Sequence, residues 1–139
     1  MDISQEKHVV TCFLECQGRI LLLKRSQQVG TFRGLWAGIS GYVEDSADEQ
    51  SLVEITEETG LSPRELTLVK IGKPVTVDDI KTGVRWVVHP YLYKTGSAER
   101  IRTDWEHCDS RWVKPEELES YHTVPALKEA FLSVFEPKQ

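Results

Sequence analysis

The sequence predicts a domain of the α/β (α+β) class, in which helices pack on a mixed β-sheet. Three observations predict it: apolar runs typical of strands, a capped amphipathic helix between them, and a second amphipathic helix near the C-terminus. Because strands and helices do not alternate strictly, a purely parallel sheet is not expected. The chain of 139 residues has the length of one domain, so residues 1–139 are expected to form a single domain.

The first elements are predicted to be a hairpin and an irregular segment. Residues 8–17 and 19–26 are apolar and β-branched on either side of a turn at Gly18, so they are expected to form two adjacent strands. The glycine-rich residues 29–44 are too interrupted for a helix. They suit a loop that leads into a short strand near residues 35–39.

A helix is predicted over residues 46–59. Ser46, followed three residues later by Glu49, is a capping-box signature at its start. Gly60, with Pro63 shortly beyond it, supplies the stop at its end.

The second half of the chain predicts further strands. Residues 66–77 and 83–94 have the β-branched, apolar pattern of strands, and Pro74 and Pro90 are expected to interrupt them. Residues 109–114 predict a third, shorter strand. These strands complete the mixed sheet.

Two helices are expected after the strands. A short one begins at Pro115, which suits the first position of a helix. The last one runs over about residues 125–135. Its apolar face is formed by Leu127, Ala130, Phe131 and Val134.

Composition excludes several classes of protein. Lys and Arg total 17 against 22 Asp and Glu, a net charge of -5, so nonspecific coating of nucleic acid is not expected. No apolar run approaches the roughly 20 residues of a membrane span, and no secretory signal is recognised, so a cytoplasmic location is expected. The three cysteines lack the CxxC spacing of a zinc site and are expected to be buried or idle reduced thiols: Cys12, Cys16 and Cys108.

Three carboxylates fall on one side of the predicted helix. At about 100° per residue, Glu54, Glu57 and Glu58 lie within roughly a 100° arc. Leu52 and Ile55 point to the opposite side. The helix is therefore expected to pack with one face and to present an acidic face.

The acidic face is explained either by solvation or by a bound cation. Glu54 and Glu58 repel each other at four-residue spacing, and Glu57 and Glu58 lie in the last turn, where the helix dipole disfavours anions. Because no lysine or arginine is interleaved with them, stability alone would not select this pattern. A hard divalent cation such as Mg²⁺ takes carboxylate oxygens and bridges to substrate phosphates, which would turn the repulsion into a site.

Residues 41–61 resemble the signature of the Nudix hydrolases, a MutT-like family, in which a glycine and a glutamate precede REUXEEXGU, with U an aliphatic residue. The second half of this motif is matched by Glu54, Ile55, Glu57, Glu58, Gly60 and Leu61. The opening hairpin and the tryptophan and glycine turn before the helix are similar to the family's order. The resemblance implies a Nudix-type α/β/α sandwich with a mixed β-sheet.

The motif is atypical in this chain. Val53 stands where the family has an arginine, and Gly41 is two residues too close to Glu54. Asp45, with Glu44 beside it, stands in the region of the early motif glutamate. The arginine normally steadies a catalytic glutamate by a charge-assisted bond. The candidate substitutes for it are Arg33 and Arg102.

The resemblance implies that water hydrolyses a diphosphate linkage, while the protein contributes metal, position and charge neutralisation. The implied metal is Mg²⁺, which Mn²⁺ is expected to replace. Its implied ligands are three carboxylates and one backbone carbonyl: Glu54, Glu57, Glu58 and Ser40. The implied catalytic residues are the same three glutamates and a loop acid, Glu106, for which Asp104 and His107 are alternatives.

The implied partner is a small-molecule nucleoside diphosphate derivative, of the nucleotide or nucleotide-sugar class. Its phosphates are expected to meet cations, and its base an aromatic ring: Lys24, Arg25, Arg33 and Trp36. Phe32 and Trp86 are further aromatic candidates, although aromatic residues in strands more often belong to the core. Stable binding to nucleic acid or membranes is not expected, and a homodimer is left open.

Two other functions are alternatives at this point. The missing motif arginine and the shortened loop would also suit a catalytically weak or silent module that senses nucleotides or binds a partner. An isomerase acting on a prenyl diphosphate would need a cysteine acid close to the helix.

Overall fold

The computed structural model describes residues 2–136. Its strands are β1 (Gln5–Cys16), β2 (Arg19–Arg25), β3 (Trp36–Ala37), β4 (Ile39–Tyr42), β5 (Leu66–Ile71), β6 (Val75–Asp79), β7 (Val84–Thr95) and β8 (His107–Val113). Its α-helices are α1 (Ala47–Thr59) and α2 (Leu127–Val134), and short 3₁₀ turns span Pro63–Glu65, Ala98–Arg100 and Pro115–Ser120. The predicted hairpin, central helix and C-terminal helix are therefore confirmed, with the short helix at Pro115 formed as a 3₁₀ turn.

All eight strands belong to one mixed sheet with β1 and β7 at its centre. These two long strands pair in parallel, and the other strand pairs are antiparallel. Strand β1 pairs along its length with β7, while its other side pairs first with β4 and then with β2. The sheet therefore places β4, which leads into α1, directly beside the central strand.

The two faces of the sheet carry separate cores because successive side chains of a strand point to opposite faces. Val10, Cys12 and Leu14 of β1 pack on one face with Ile55 of α1. The intervening Phe13 packs on the other face with α2, whose buried residues are those predicted: Leu127, Ala130, Phe131 and Val134. Two helices on opposite faces of one sheet give the predicted α/β/α sandwich.

Local signals fix the ends of α1. The Ser46 hydroxyl accepts a hydrogen bond from the Glu49 backbone N–H at 3.1 Å, which satisfies one of the free donors of the first turn. Gly60 adopts a left-handed conformation, with φ of 80°, and its N–H donates to the Thr56 carbonyl. Glycine suits this position because it has no side chain to strain the left-handed backbone.

The expectation that Pro90 interrupts a strand is wrong. Strand β7 runs continuously through Pro90, whose carbonyl accepts a hydrogen bond from Gly72 at 2.9 Å. The side of β7 that Pro90 faces changes partner there, from β6 before it to β5 after it. The N–H that proline lacks therefore falls in a gap between partner strands, where no ladder hydrogen bond is lost.

The other departures are small. The single short strand expected near residues 35–39 forms as two, β3 and β4, and β4 continues to Tyr42. Within residues 2–136 no helix has both the length and the apolar character needed to cross a membrane.

Candidate active site at the acidic helix

The three glutamates of α1 differ in their exposure. Glu57 is exposed and Glu54 is half-buried, but the Glu58 side chain is only 3% exposed. The expectation that all three glutamates lie on a face opposite the packed one is therefore wrong for Glu58. Its position follows Ile55 by three residues, which turns it toward the edge of the packed face rather than toward water.

Glu54 is held between the loop and the helix. Its carboxylate lies against Gly41 of β4, where an added Cβ atom would come within 2.1 Å of the Glu54 Cδ. The Gln50 side-chain amide donates to Glu54 Oε2 at 2.9 Å. Burial raises the pKa of Glu54, and the charges of Glu57 and Glu44 raise it further, although the bond from Gln50 works in the opposite direction.

Glu58 is a buried acid with an unsatisfied oxygen. Its Oε1 lies 3.6 Å from His107 Nε2, and its Oε2 has no hydrogen-bond partner among residues 2–136. Burial raises the pKa of Glu58 to about 10, and the charges of Glu54 and Glu106 add to the effect. Without a cation, Glu58 is therefore protonated at neutral pH.

The loop before β8 brings a second set of polar groups to this cluster. His107 is buried, and its Nδ1 lies 3.2 Å from Asp104 Oδ1. Burial lowers the pKa of His107, against the opposing effect of Asp104. Burial and the charges of Asp104 and Glu54 raise the pKa of Glu106. The structure thus brings the loop acid predicted from sequence, and both of its alternatives, close to the glutamates of α1.

The predicted phosphate-binding cations lie at the end of β2 and in the following loop. Arg25 donates from Nε to the Thr31 carbonyl at 2.9 Å, and its charge lowers the pKa of Glu106, so it lies at the acidic cluster. Arg33 donates from Nε to the Val29 carbonyl at 2.7 Å. Lys24 lies on the neighbouring position of β2, with Nζ 6.0 Å from the Trp36 ring. Of the three, Arg25 is the one whose charge acts on Glu106.

Trp36 belongs to the core on the α2 side. It is 9% exposed, and its ring contacts Tyr121 edge to face at 5.4 Å. The Arg111 guanidinium lies 5.3 Å from the centre of the same ring. The accessible part of the Trp36 ring therefore makes cation–π contacts. Among the further aromatic candidates, Trp86 lies with Tyr42 around the Lys7 ammonium, which is 5.6 Å from the Trp86 ring.

Neither predicted substitute for the motif arginine contacts Glu54. Arg33 bonds the backbone of its own loop, and Arg102 donates to the carbonyls of Glu99 and Ile101. Val53 is 45% exposed and makes no polar contact. The donor to Glu54 is Gln50, which sequence reasoning missed. Its spacing of four residues before Glu54 on a helix was the signal that could have found it.

Ser40 is a predicted metal ligand, and Cys12 is a candidate acid for the isomerase alternative. Ser40 precedes the glycine that Glu54 contacts, and its hydroxyl lies 3.4 Å from Thr11 Oγ1. Cys12 lies beneath α1, with Sγ 3.7 Å from the Ser51 carbonyl, but it is fully buried and its pKa is raised by that burial. A buried thiol facing helix backbone does not offer the accessible acid that the isomerase alternative needs.

The donor chemistry fits a hard divalent cation. No three His, Cys, Asp or Glu side chains of residues 2–136 are already gathered as one ligand set. However, Glu58 keeps an orphaned buried oxygen, and Glu54 is raised in pKa beside it, so both acids gain from a positive charge at this place. Carboxylate oxygens are the ligands that Mg²⁺ and Mn²⁺ accept. The residues present would therefore hold such an ion after small side-chain movements.

Gly41→Ala is expected to weaken Mn²⁺ binding by roughly 10- to 100-fold, because the new methyl group would displace the Glu54 carboxylate. The fold should persist, since the displaced atoms are the flexible end of a side chain. Electron paramagnetic resonance of free Mn²⁺ measures the affinity. Gly30→Ala, where no atom lies within 4 Å of the added carbon, is the matched control. Equal affinities for the two variants would contradict the contact.

One large groove lies away from this cluster. A groove of about 910 Å³ runs beside α2 and is lined by side chains of β5, β7 and the C-terminal helix. None of the α1 glutamates lines it. Cavity volume therefore does not identify α1, and we place the candidate site by its chemistry instead, because α1 carries the buried Glu58 with its unpartnered oxygen and the half-buried Glu54.

Sequence comparisons match this chain to known proteins. The model of the NUDIX domain matches residues 5–134. A nucleoside triphosphatase, NudI of Escherichia coli, is 31% identical over 127 residues, covering 84% of this chain and 88% of that protein.

Solved structures share the fold. A MutT protein from Methanosarcina mazei Go1 superposes with a TM-score of 0.74 at 24% identity, covering 93% of this chain and 92% of that one. An Ap4A hydrolase from C. elegans superposes with a TM-score of 0.71 at 16% identity, covering 92% of this chain and 93% of that one. Both comparisons support the α/β/α sandwich.

Proposed function

Because this chain belongs to the NUDIX domain family of hydrolases, we propose that it is a Mg²⁺-dependent pyrophosphohydrolase of nucleoside diphosphate derivatives. Family membership confirms the resemblance found in the sequence and makes the protein a Nudix pyrophosphohydrolase. The substrate class and the metal are our proposal. The observation that carries it is the buried Glu58 carboxylate beside Glu54 on the family's helix, whose Oε2 has no hydrogen-bond partner among the described residues.

The proposed ligands of the ion are Glu54, Glu57, Glu58 and the backbone carbonyl of Ser40. The chemistry that Mg²⁺ supplies when bound is neutralisation of phosphate charge and polarisation of a phosphoryl oxygen, and Mn²⁺ is expected to replace it. The chain's own contribution is position. Gly41 and Gln50 hold Glu54, and the buried His107 faces Glu58.

We propose Glu106 as the group that takes a proton from the attacking water. It is half-buried beside Asp104, and its pKa is raised, which brings a carboxylate nearer to the strength that a general base needs at neutral pH. Asp104 and His107 are less suited, because each is engaged by the other at 3.2 Å. The charge of Arg25 lowers the pKa of Glu106, against the effect of burial, and we propose that Arg25 also meets a phosphate.

We propose that phosphates of the substrate extend past the end of β2 toward Arg25 and Arg33, while Lys24, predicted with them, lies against Trp36 on the α2 side of the sheet and takes no part. Cations there offset the charge of a polyphosphate beside the acidic helix. Trp36, being largely buried, would act as the surface on which Lys24 and Arg111 rest. The NUDIX match over residues 5–134 also supports our assignment of residues 1–139 to one domain.

The leading substrate class is nucleoside triphosphates. A nucleoside triphosphate is a nucleoside diphosphate linked to phosphate, so it falls within the class expected from the sequence. The curated relative NudI carries that activity in its name, at 31% identity. Nucleotide sugars and dinucleoside polyphosphates are the competing members of the same class.

The test is a substrate panel with a metal control. Purified protein is incubated with nucleoside triphosphates, nucleotide sugars and dinucleoside polyphosphates, each with Mg²⁺ or with EDTA, and products are separated by chromatography. We expect Mg²⁺-dependent release of a nucleotide and phosphate or diphosphate, fastest with a triphosphate. Reaction in ¹⁸O-water identifies which phosphorus is attacked.

Two results would overturn the proposal. Turnover that persists in EDTA would remove the metal from the mechanism. Tight binding of nucleotides in calorimetry, with no product after long incubation with Mg²⁺ or Mn²⁺, would instead identify a nucleotide sensor.

A further inference from the structure

We propose that Gln50 is the positioning residue that orients Glu54 for the cation, a role for which Val53 offers no polar group. The proposal rests on the proposed function, since it assumes that Glu54 is a ligand. It assigns to one side chain the link between the loop after β4 and the acidic face of α1.

Gln50 uses both ends of its amide. Its Nε2 donates to Glu54 Oε2 at 2.9 Å, and its Oε1 accepts from the Glu44 backbone N–H at 3.2 Å. The orientation of the amide is therefore determined, because the donor and the acceptor have separate partners. Gln50 is also buried, with 8% exposure, so neither bond competes freely with water.

Glu54 is consequently restrained from two sides. The backbone at Gly41 limits its carboxylate on the sheet side, and Gln50 limits it on the helix side. A glutamate has several rotatable bonds, and fixing it in advance removes part of the entropy that ion binding would otherwise cost. Glu57, which is exposed, has no comparable restraint among the described residues.

The neutral Gln50 amide differs in its effect on Glu54 from the arginine that the family motif has at position 53. Gln50 carries no charge, so it orients Glu54 without forming an ion pair that would compete with the metal ion. We therefore expect Gln50 to act on metal affinity, by orientation, rather than on the charge of the cluster.

The competing explanation is that the two hydrogen bonds of Gln50 only hold the helix to the loop and do not affect metal binding. It predicts that loss of Gln50 lowers the stability of the metal-free protein and leaves metal affinity unchanged. Our proposal predicts a loss of affinity in protein that is still folded. Gln50→Met separates the two, because methionine has a similar length and apolar volume but neither of the two hydrogen bonds.

The experiment measures Mn²⁺ affinity by electron paramagnetic resonance for wild type, Gln50→Met and the control Glu49→Gln. Glu49 is an exposed neighbour on α1 whose side chain faces water. We expect the dissociation constant of Gln50→Met to rise roughly 10- to 100-fold and that of Glu49→Gln to change little. Thermal unfolding in EDTA verifies that each variant is folded.

A kinetic measurement gives a second readout. With Gln50→Met, the Mg²⁺ concentration for half-maximal turnover should rise by a similar factor, while kcat at saturating Mg²⁺ should fall less. A purely structural role would not move that concentration.

Rescue by a longer side chain at position 53 completes the test. A cavity of about 100 Å³ lined in part by Glu44, Gln50 and Val53 leaves space for it. Adding Val53→Arg to Gln50→Met should restore part of the lost Mn²⁺ affinity, because an arginine there can donate to Glu54.

The outcomes are distinguishable. Wild-type affinity for Mn²⁺ in folded Gln50→Met would overturn the role of Gln50 and leave the proposed function standing. Absence of Mn²⁺ binding and of turnover in the wild type would overturn both. Reduced affinity in Gln50→Met with a normal Glu49→Gln supports the proposal.

Discussion

Glu58→Gln is expected to raise the melting temperature of the metal-free protein at pH 8 by roughly 4–10 °C. The folded protein holds Glu58 in a buried position where one carboxylate oxygen has no described partner, so at pH 8 folding requires this acid, ionised in the unfolded chain, to take up a proton, which costs a few kcal/mol of folding free energy. A neutral amide of nearly the same shape avoids that cost. Scanning calorimetry in EDTA measures the difference between the two proteins.

The sign of the pH dependence follows from the direction of the shift. The pKa of Glu58 rises from 4.5 in the unfolded chain to about 10 in the folded protein, mainly through burial. Between those values the folded state binds more protons, so the stability that Glu58 contributes is present below pH 4.5 and is lost as pH rises toward 10. The advantage of Glu58→Gln should therefore be small at pH 5 and large at pH 8.

Mg²⁺ should reverse the order of the two proteins. An ion that binds only the folded state stabilises wild type by about 2.7 kcal/mol at 100 times its dissociation constant. Glu58→Gln should gain much less, because it has lost a proposed ligand. If Glu58→Gln is less stable than wild type in EDTA at pH 8, or gains as much from Mg²⁺, the account of Glu58 is wrong.

Glu57→Gln is expected to lower kcat/KM by roughly 100- to 1000-fold while leaving the melting temperature in EDTA nearly unchanged. Glu57 is exposed, and none of its side-chain atoms bonds another described residue, so the fold does not depend on it. Its proposed contribution is charge and a ligand oxygen at the ion. Initial rates over a range of substrate concentrations, at saturating Mg²⁺, measure the effect.

The matched control for this variant is Glu49→Gln. It makes the same chemical change on the same helix at another exposed position, away from the cluster. We expect its kcat/KM to stay within about twofold of wild type, as surface substitutions usually have small effects. Equal turnover by wild type and Glu57→Gln would remove Glu57 from the site.

The elements predicted well are those fixed by local signals. The turn at Gly18 and the cap at Ser46 act within a few residues, and the apolar face of α2 follows from helical spacing alone. Pro90 shows the limit of such signals. Whether a proline interrupts a strand depends on where the neighbouring strands end. The local sequence around Pro90 does not show that β6 ends and β5 begins beside it.

The same division holds at the site. The sequence predicted the three glutamates of α1 from residue type and spacing, and the resemblance to the family predicted the loop acid Glu106. It did not reveal that Glu58 is buried, that His107 faces it, or that Gln50 takes the donor position next to Glu54. These features depend on contacts of α1 with two other segments, the loop before β8 and the loop after β4.

The sequence by itself determined the family, the mixed sheet with two packed helices, and the cluster of acids that suits a cation. The family follows from the resemblance of residues 41–61 to its motif, and the rest from short-range chemistry: periodicity, caps, and like charges that stability alone would not place together. Only the tertiary structure decided which acid loses its solvent and which donor restrains Glu54. Burial and hydrogen-bond partners are set by segments far apart in the chain, and the resulting desolvation raises the pKa of Glu58 to about 10.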